Sequence, residues 1–444
     1  MEPGQLGYAV NRLQEIDKDS QPQDSSKSVC IIVENLSVPF DRRVWNEARA
    51  LHGAGYRVSV ISPKAPGATS GHEVLSGIDI YRHWTWNASG RLGYIFEYAW
   101  SLAAEFALAL RVYARSRFQV LQACNPPDTI FLIALFFKLF GVRFVFDHHD
   151  LGPELYQARF GGQGLAYRLM GLAERLTFRT ADFSFATNES YREIAVSRGG
   201  MDPARVCVVR NCPDLSEIAQ VKPRPELKRG RPYLVVYVGI MSPQDGVDLL
   251  LQSIDYLRNQ MRRQDIFFIL VGSGSELPRL QRMAAKFSLE ECVEFTGLIP
   301  HDEVASYIAT ADVCVAPDPG NPLNSLSTMI KWFEYMAHGR PAVLYDLKEG
   351  RRTVGDAALY ARDGDPHDFA QQILKLLDSD SLRQELGARG RQRVLESLNW
   401  QNESRNLLEA YGTLFSERDP QARKVHQHRP ALLETSGKGR RRAG

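Results

Sequence analysis

Two doubly wound α/β domains in tandem, each built on a parallel sheet of the Rossmann type, are what the sequence predicts. Three observations carry that expectation. A strand–helix–strand unit opens the body of the chain, a second series of the same kind begins at Tyr233, and a stretch without apolar period separates them. The strands themselves add to it. Ser28-Val-Cys-Ile-Ile-Val33 has too little polarity for a surface edge and reads as a strand buried on both faces, as parallel strands are.

Residues 1–27 are polar and read as a flexible leader with no basic-then-apolar targeting signal. After the first strand come a loop, Glu34–Asp41, and a helix from about Arg42 to His52, ended by Gly53-Ala-Gly55. Arg57–Ser62 is the next strand and completes a βαβ unit. Shorter strands are expected near Ile78–Tyr81 and Val120–Gln122, with a long helix, Tyr94–Ser116, between them. Its aromatic residues suit either lipid contact or core packing, and core packing is the expectation. Ile130–Phe140 reads as a buried helix, Arg143–Phe146 as a strand, Leu165–Thr180 as a helix and Phe183–Ala186 as a strand. Asn188-Glu-Ser starts a helix to Arg198, and Arg205–Arg210 closes an N-terminal domain spanning 28–213.

Residues 214–232 are rich in Pro, Lys and Arg and form the linker. The C-terminal domain, 233–398, repeats the pattern: strand Tyr233–Gly239, helix Gly246–Leu257, strand Ile266–Val271, helix Glu276–Phe287, strand Val293–Phe295 and helix Asp302–Ala309. Helices near Pro366–Leu377 and Leu382–Leu395 end it. A last helix occupies 399–416, and 417–444 is a polar, basic tail expected to be disordered.

Composition bounds the function. A hydrophobic fraction of 44% and a charged fraction of 24% are ordinary for a folded body, so the chain is expected to be globular. A net charge of +2 lacks the basic excess that nucleic acid demands. Six scattered Cys with no CxxC spacing speak against zinc or a disulfide framework and for buried thiols in a reducing, cytoplasmic compartment. The longest apolar run, Ile130–Phe137, is cut by Lys138, well short of the ~20 residues of a spanning helix. Membrane contact, at the inner face, is expected only peripherally.

The most informative stretch runs from Asp312 to Asp346. An apolar strand, Val313–Pro317, feeds a Gly/Pro/Asn loop, then a helix that stops at Gly339-Arg-Pro341, then the strand Ala342–Tyr345. Ser325 or Ser327 is placed to cap the helix start. Strand, loop and helix N-terminus make an anion site. Glu334 lies seven residues beyond Ser327, roughly 10 Å along the axis. One ligand can then set a phosphate at the helix start and a sugar hydroxyl near Glu334. The same spacing also fits an ordinary capped surface helix with a solvated Glu. Lys331 shares a face with Glu334 and reads either as a phosphate contact or as its ion-pair partner.

Two further constellations sit where strands end. Asp147-His148-His149-Asp150 follows a buried strand, at the edge where open α/β sheets bind ligands. Gly272-Ser-Gly-Ser-Glu-Leu277 is half a dinucleotide fingerprint, with Leu277 where the third Gly belongs.

The segment Glu334-Tyr-Met-Ala-His-Gly339-Arg-Pro341-Ala-Val343 resembles the nucleotide-binding segment of GT-B fold glycosyltransferases of the GT4 type, a retaining family of bacterial polysaccharide enzymes, which ends in Glu-Ala-Met-Ala-x-Gly-x-Pro-Val-Val. Residues 147–150 look like that family's Asp-x-His-Asp. The resemblance covers about 28–415 and implies two domains facing across a cleft, the last helix crossing back to the first. It implies sugar transfer from a UDP- or GDP-linked donor to a glycan or lipid-linked acceptor, with retention, no metal and no cofactor beyond the donor. Glu334 then holds the ribose, and Ser327, Thr328 and Lys331 the diphosphate. His149 contacts the donor sugar and Asp150 orients the reacting groups, while Gly239, Gly272 and Gly274 wall the nucleotide pocket.

The sequence departs from the family at Leu326, where a second Glu is common, and at Ile240 and Asp245, where an Arg and a Lys usually bind the diphosphate. Pro39–Glu47 is similar to the family's Asp-x-Arg-x-x-x-Glu loop, so Arg42 or Arg43 is placed either to hold an acceptor phosphate or to pair at the helix start. A nucleotide-sugar 2-epimerase and a non-catalytic partner protein of the same fold remain as alternatives. A nicotinamide oxidoreductase would need the full glycine fingerprint.

Overall fold

A computed structural model of the chain describes residues 27–64, 70–85, 90–218 and 221–416. Nearly all of the expected leader and the whole basic tail lie outside the described residues. The first sheet contains β1 (Ser28–Ile32), β2 (Arg57–Pro63), β3 (His72–Leu75), β4 (Ile78–His83), β5 (Val120–Cys124), β6 (Arg143–His148), β7 (Phe183–Ala186) and β8 (Val206–Val208). Their order is β3-β4-β2-β1-β5-β6-β7-β8, parallel throughout except for β3 against β4. That hairpin is absent from the sequence reading. His72-Glu-Val-Leu75 is too short and polar to register, and its turn is made by Ser76 and Gly77, both at positive φ.

On one face of this sheet lies α1 (Arg42–Gly53), capped by the Asp41 side chain on Val44 N–H. The other face carries α2 (Gly90–Ser116), α3 (Phe131–Lys138), α5 (Leu165–Thr180) and α6 (Glu189–Ser197), with α4 (Gly152–Phe160) preceding α5. A four-residue helix, α7 (Leu215–Ile218), lies in the linker, which is tied to the second domain by Lys228 on Asp312 (2.8 Å) and by Thr310 Oγ1 accepting from Arg224 N–H (2.7 Å).

The second sheet is wholly parallel: β9 (Tyr233–Val238), β10 (Ile266–Val271), β11 (Val293–Gly297), β12 (Val313–Ala316), β13 (Ala342–Tyr345) and β14 (Ala358–Ala361), in the order β11-β10-β9-β12-β13-β14. Its helices are α8 (Val247–Asp255), α9 (Leu277–Lys286), α10 (His301–Thr310), α11 (Ile330–Ala337), α12 (Lys348–Thr353), α13 (Pro366–Leu377) and α14 (Asp380–Glu396). Then α15 (Trp400–Ser416) packs on α1 and β8 of the first domain. It buries Leu407, Tyr411 and Leu414, about 1.5–3 kcal/mol each, and Tyr411 donates to Gln122 Oε1 at 2.6 Å.

The order in which strands are added reverses between β1 and β5 in one sheet and between β9 and β12 in the other. These are the switch points where open sheets bind ligands, outside the C-terminal strand ends. The two edges meet through α6. Asn188, its N-cap, donates to Leu326 O (2.9 Å) and Thr328 Oγ1 (3.1 Å), and Tyr191 OH bonds Ser327 Oγ (3.2 Å). Ser190 donates to the buried Glu349 (2.6 Å), while Glu193 accepts from Lys348 (2.7 Å) and Arg352 (2.8 Å).

Two local expectations are corrected. Met329, not Ser325 or Ser327, stands at the N-cap of α11, without a side-chain cap. The Ser327 hydroxyl faces Tyr191 of the first domain instead. The aromatics at the start of α2 are not core: Phe96 and Trp100 are exposed, because that end of the helix precedes the part packed on the sheet.

Candidate active site at the interdomain cleft

The Phe144–Phe146 segment of β6 is buried on both sides and delivers residues 147–150 to the edge of the first sheet. Asp147, fully buried, takes Arg43 Nη2 at 2.7 Å and His149 Nε2 at 2.7 Å. The Arg43 guanidinium also reaches Val209 O (2.6 Å), Asn211 Oδ1 (2.8 Å) and His149 Nε2 (3.0 Å). Against the cost of burial, Arg43 and then His149 hold Asp147 far below the usual carboxylate range. His149 is correspondingly raised: burial opposes its charge, and Asp147 outweighs burial. Glu47, beside the same guanidinium at 3.2 Å, goes the other way. Burial and then Asp147 push it up to about 8. One guanidinium thus sits between two carboxyls of opposite protonation tendency.

Arg43 is therefore the internal cation of this hub rather than an acceptor-phosphate ligand. Cys124, Asp147 and His149 also bring ligand atoms within 4.8 Å of one another, but the guanidinium already bonds two of the three. Asn125, just beyond β5, fixes the turn that follows. Its Oδ1 accepts from His149 N–H (2.8 Å) and Asp150 N–H (3.2 Å), and its Nδ2 donates to Asp150 O (2.7 Å). The Asp150 carboxyl is raised by burial, with His149 opposing.

At the second switch point α11 carries Lys331 over the ends of β9 and β12. Its ammonium is buried, 2.9 Å from Asp318 Oδ1 and 4.7 Å above the Tyr237 ring. Burial alone would lower it, and Asp318 more than restores it. Lys331 thus pairs with Asp318 and not with Glu334. The other Asp318 oxygen has no partner among the described residues. Asp245 closes a capping box with Ser242, accepting from its N–H at 2.9 Å, and burial lifts it to about 6 with Lys331 opposing. The exposed side chain of Ile240 offers no charge.

Glu334, one turn along α11, is raised by burial, and the charge that opposes the rise is Arg42 of the first domain. Gly272 and Gly274 let two loops close on each other. A Cβ on Gly272 would collide with the Gly239 carbonyl and one on Gly274 with the Met241 backbone, and Gly239 and Gly272 have φ of +156° and +132°. Met241 N–H donates to Ser273 O (3.0 Å) and Glu276 N–H to Met241 O (2.9 Å) across the same contact.

Two family models match these two halves: "Glycosyl transferase 4-like domain" over 41–212 and "Glycosyl transferases group 1" over 232–379. Together they take in well over half of the chain. The chain belongs to the GT4-type glycosyltransferase family and has the GT-B fold. It is 28% identical over 211 residues to a GDP-mannose-dependent alpha-(1-6)-phosphatidylinositol monomannoside mannosyltransferase of Mycolicibacterium smegmatis, covering 47% of this chain and 54% of that one. It is 25% identical over 269 residues to a D-inositol 3-phosphate glycosyltransferase of Kineococcus radiotolerans, covering 56% and 60%. The chain thus spans about half the length of the curated relatives it matches. Sucrose-phosphate synthase of Thermosynechococcus elongatus shares the fold, with a TM-score of 0.73 at 19% identity over 88% of this chain and 100% of that one. So does HepE of Anabaena in complex with UDP, with 0.63 at 13% over 87% and 100%.

In this GT-B frame the site residues named from sequence fall at both edges of the cleft. His149 and Asp150 follow β6, one strand beyond the first switch point; Lys331, Glu334 and Gly239 stand at the second, with Gly272 and Gly274 one strand beyond it. Ser327 and Thr328 lie before α11 and hydrogen-bond the first domain, so they hold the two domains together as the structure stands. Asn125, Asp318 and Tyr237 escaped the sequence reading. Each follows or ends a buried strand, which is the signal that could have found them.

Proposed function

We propose that this protein moves a hexosyl unit from a UDP- or GDP-linked donor to a glycan or lipid-linked acceptor, with retention at the anomeric carbon and without a metal, in the cytoplasm. The supporting observation is the second switch point: a buried lysine ammonium at the loop crossing and a carboxyl one turn further along the same helix. Lys331 there carries the positive charge that meets the diphosphate as the glycosidic bond breaks. Glu334 accepts from the ribose hydroxyls. His149, oriented by Asp147, contacts the donor sugar, and Asp150 orients the acceptor hydroxyl. A relative named for GDP-mannose and a fold neighbour holding UDP are consistent with either donor class.

One observation favours a second reading. Asp318 and Asp245 surround Lys331, and Ile240 replaces the expected arginine, so the diphosphate meets less positive charge than usual. That would suit a non-catalytic partner protein. Nucleotide release from UDP- and GDP-sugars, followed with glycan and lipid-linked acceptors in the presence of EDTA, decides between them. Turnover with an α-linked product from an α-linked donor supports the proposal. Loss of turnover in EDTA or an inverted product removes those two parts of it, and no turnover together with weak or absent nucleotide binding favours the partner protein.

A further inference from the structure

The chain passes between the domains twice, once after β8 and once between α14 and α15, and the two passages are tied together. Trp400 N–H donates to Pro213 O at 2.9 Å, and Glu403 accepts from Arg210 N–H at 3.0 Å. Beside them lies a cavity of about 550 Å³, within the range of small-molecule sites. The first domain lines it with Glu189 and Glu193 of α6 and with Arg210. The second lines it with Glu349 and Arg352 of α12 and with Arg393 near the end of α14. Lys331 and Glu334 do not line it, so it is separate from the donor site proposed above.

The cations of this cavity are anchored, and two of its acids are not. Glu349 is buried and already holds Ser190 (2.6 Å) and Arg352 (3.1 Å), and Glu403 is buried against Arg210 (3.4 Å). The Glu189 and Glu193 side chains are instead 46% and 52% exposed, so turning them to water costs little. Arg393 has no carboxylate partner among the described residues. Its Nε and Nη2 donate to Thr353 O at 3.2 and 3.0 Å, and its Nη1 bonds none of those residues. Three guanidiniums thus line one cavity. Two of them meet half-exposed carboxylates that stand where an anion would, Arg210 with Glu189 at 3.3 Å and Arg352 with Glu193 at 2.8 Å. A phosphate offers oxygens to several such forks at once, which a carboxylate with two oxygens does not. A cationic ligand would have to displace the anchored arginines.

We propose that this hinge cavity binds a small phosphate-bearing molecule, and that the bound anion fixes the two domains in one setting. The phosphate takes Arg393 Nη1 and displaces Glu189 and Glu193 from Arg210 and Arg352. Thr353, Ser397 and Leu398 wall the space left for an organic part. Such a ligand touches α6 and Arg210 on one side and α12 and α14 on the other. It therefore favours the setting in which both sides reach it, and shifts the domains toward that setting. The cleft lies between the same two domains, so the site couples a phosphorylated small molecule to the shape of the cleft.

The test is thermal melting of the full chain with inorganic phosphate, glucose 6-phosphate or glucose, for wild type, Ser397→Glu and Arg393→Lys. Ser397 is exposed, lines the cavity and bonds the Arg393 carbonyl, so a carboxylate there fills the anion position without touching the core. Wild type is expected to melt about 2 °C higher with a phosphate compound at about ten times its Kd and not with glucose, and each variant to bind about tenfold more weakly. A response to inorganic phosphate shows that the free ion suffices, and a response to the ester alone identifies a sugar phosphate; either supports the site. All three proteins should respond alike to UDP and GDP, which keeps failure of this site apart from failure of the donor site. Proteolysis between the domains should slow about threefold with the stabilising compound present. An equal phosphate response in wild type and either variant would overturn the proposal by placing the anion elsewhere, and so would no response in wild type. An unchanged rate of proteolysis with the compound bound would overturn its hold on the domains.

Discussion

Lys331 and Asp318 are a buried pair, and the loss of one partner strands the other. Lys331→Met is expected to destabilise the protein by about 3–5 kcal/mol in denaturant unfolding, whereas Lys331→Met with Asp318→Leu recovers most of that loss. Nucleotide binding should stay lost in both, which separates the charge's role in folding from its role toward the donor. The Arg43 hub gives a pH prediction. Glu47 has an ordinary value of 4.5 and a folded value of about 8. Between those values the folded state holds the proton more tightly, so the Glu47 contribution to stability is fullest below about pH 4.5 and declines as pH rises toward 8. His149, also raised, loses its contribution in the same direction, as pH climbs through its folded value. Glu47→Gln should flatten the decline in melting temperature from pH 5 to pH 8, roughly the window between the two Glu47 values. An unchanged slope would mean that another group carries it. At this scale the sequence showed which residues stand at the edge but not how they pair. Lys331 and Glu334 share a helix face, yet the partner of Lys331 comes from the end of β12, thirteen positions earlier, through a loop whose path periodicity does not encode.

At the level of elements, glycines and caps set the cleft. Gly272→Ala forces a Cβ against the Gly239 carbonyl, with φ at +132°. It is expected to cost about 1–3 kcal/mol in chemical denaturation, and to weaken nucleotide binding because both loops must move. Asn188 has two roles that one substitution separates. Its Oδ1 caps α6 through Tyr191 N–H, and its Nδ2 reaches Leu326 O on the other domain. Asn188→Asp keeps the cap but sets a carboxyl oxygen against the Leu326 carbonyl at a buried position, so it is expected to cost about 1–3 kcal/mol, while Asn188→Ala loses about 1 kcal/mol of capping together with the bonds to the other domain. Both should show faster proteolysis between the domains. Most strands and most helices were legible because buried parallel strands are continuous apolar runs, whereas β14 went unread. The β3–β4 hairpin was not legible, being short and polar, and neither was the start of α11. The serines that looked like caps face the first domain, a contact no local pattern records.

For the whole molecule, two switch points facing across one cleft are the central feature, held by α6 against the segment before α11 and by α15 against α1. The tandem α/β order could be read directly from the chain, since each unit repeats strand, loop and helix. The influence of the Arg42 charge on Glu334 could not, because it depends on how the two domains are set. Binding of a nucleoside diphosphate at the second switch point, through Lys331 and Glu334, underlies the proposed function. The most direct measurement is thermal stabilisation by UDP, GDP and ADP, on wild type and Glu334→Ala. At 100 times its Kd a nucleotide adds about 2.7 kcal/mol, a readily measured rise in melting temperature. The account predicts a rise with UDP or GDP that Glu334→Ala abolishes. No rise with any nucleotide, or an equal rise in the variant, would contradict it.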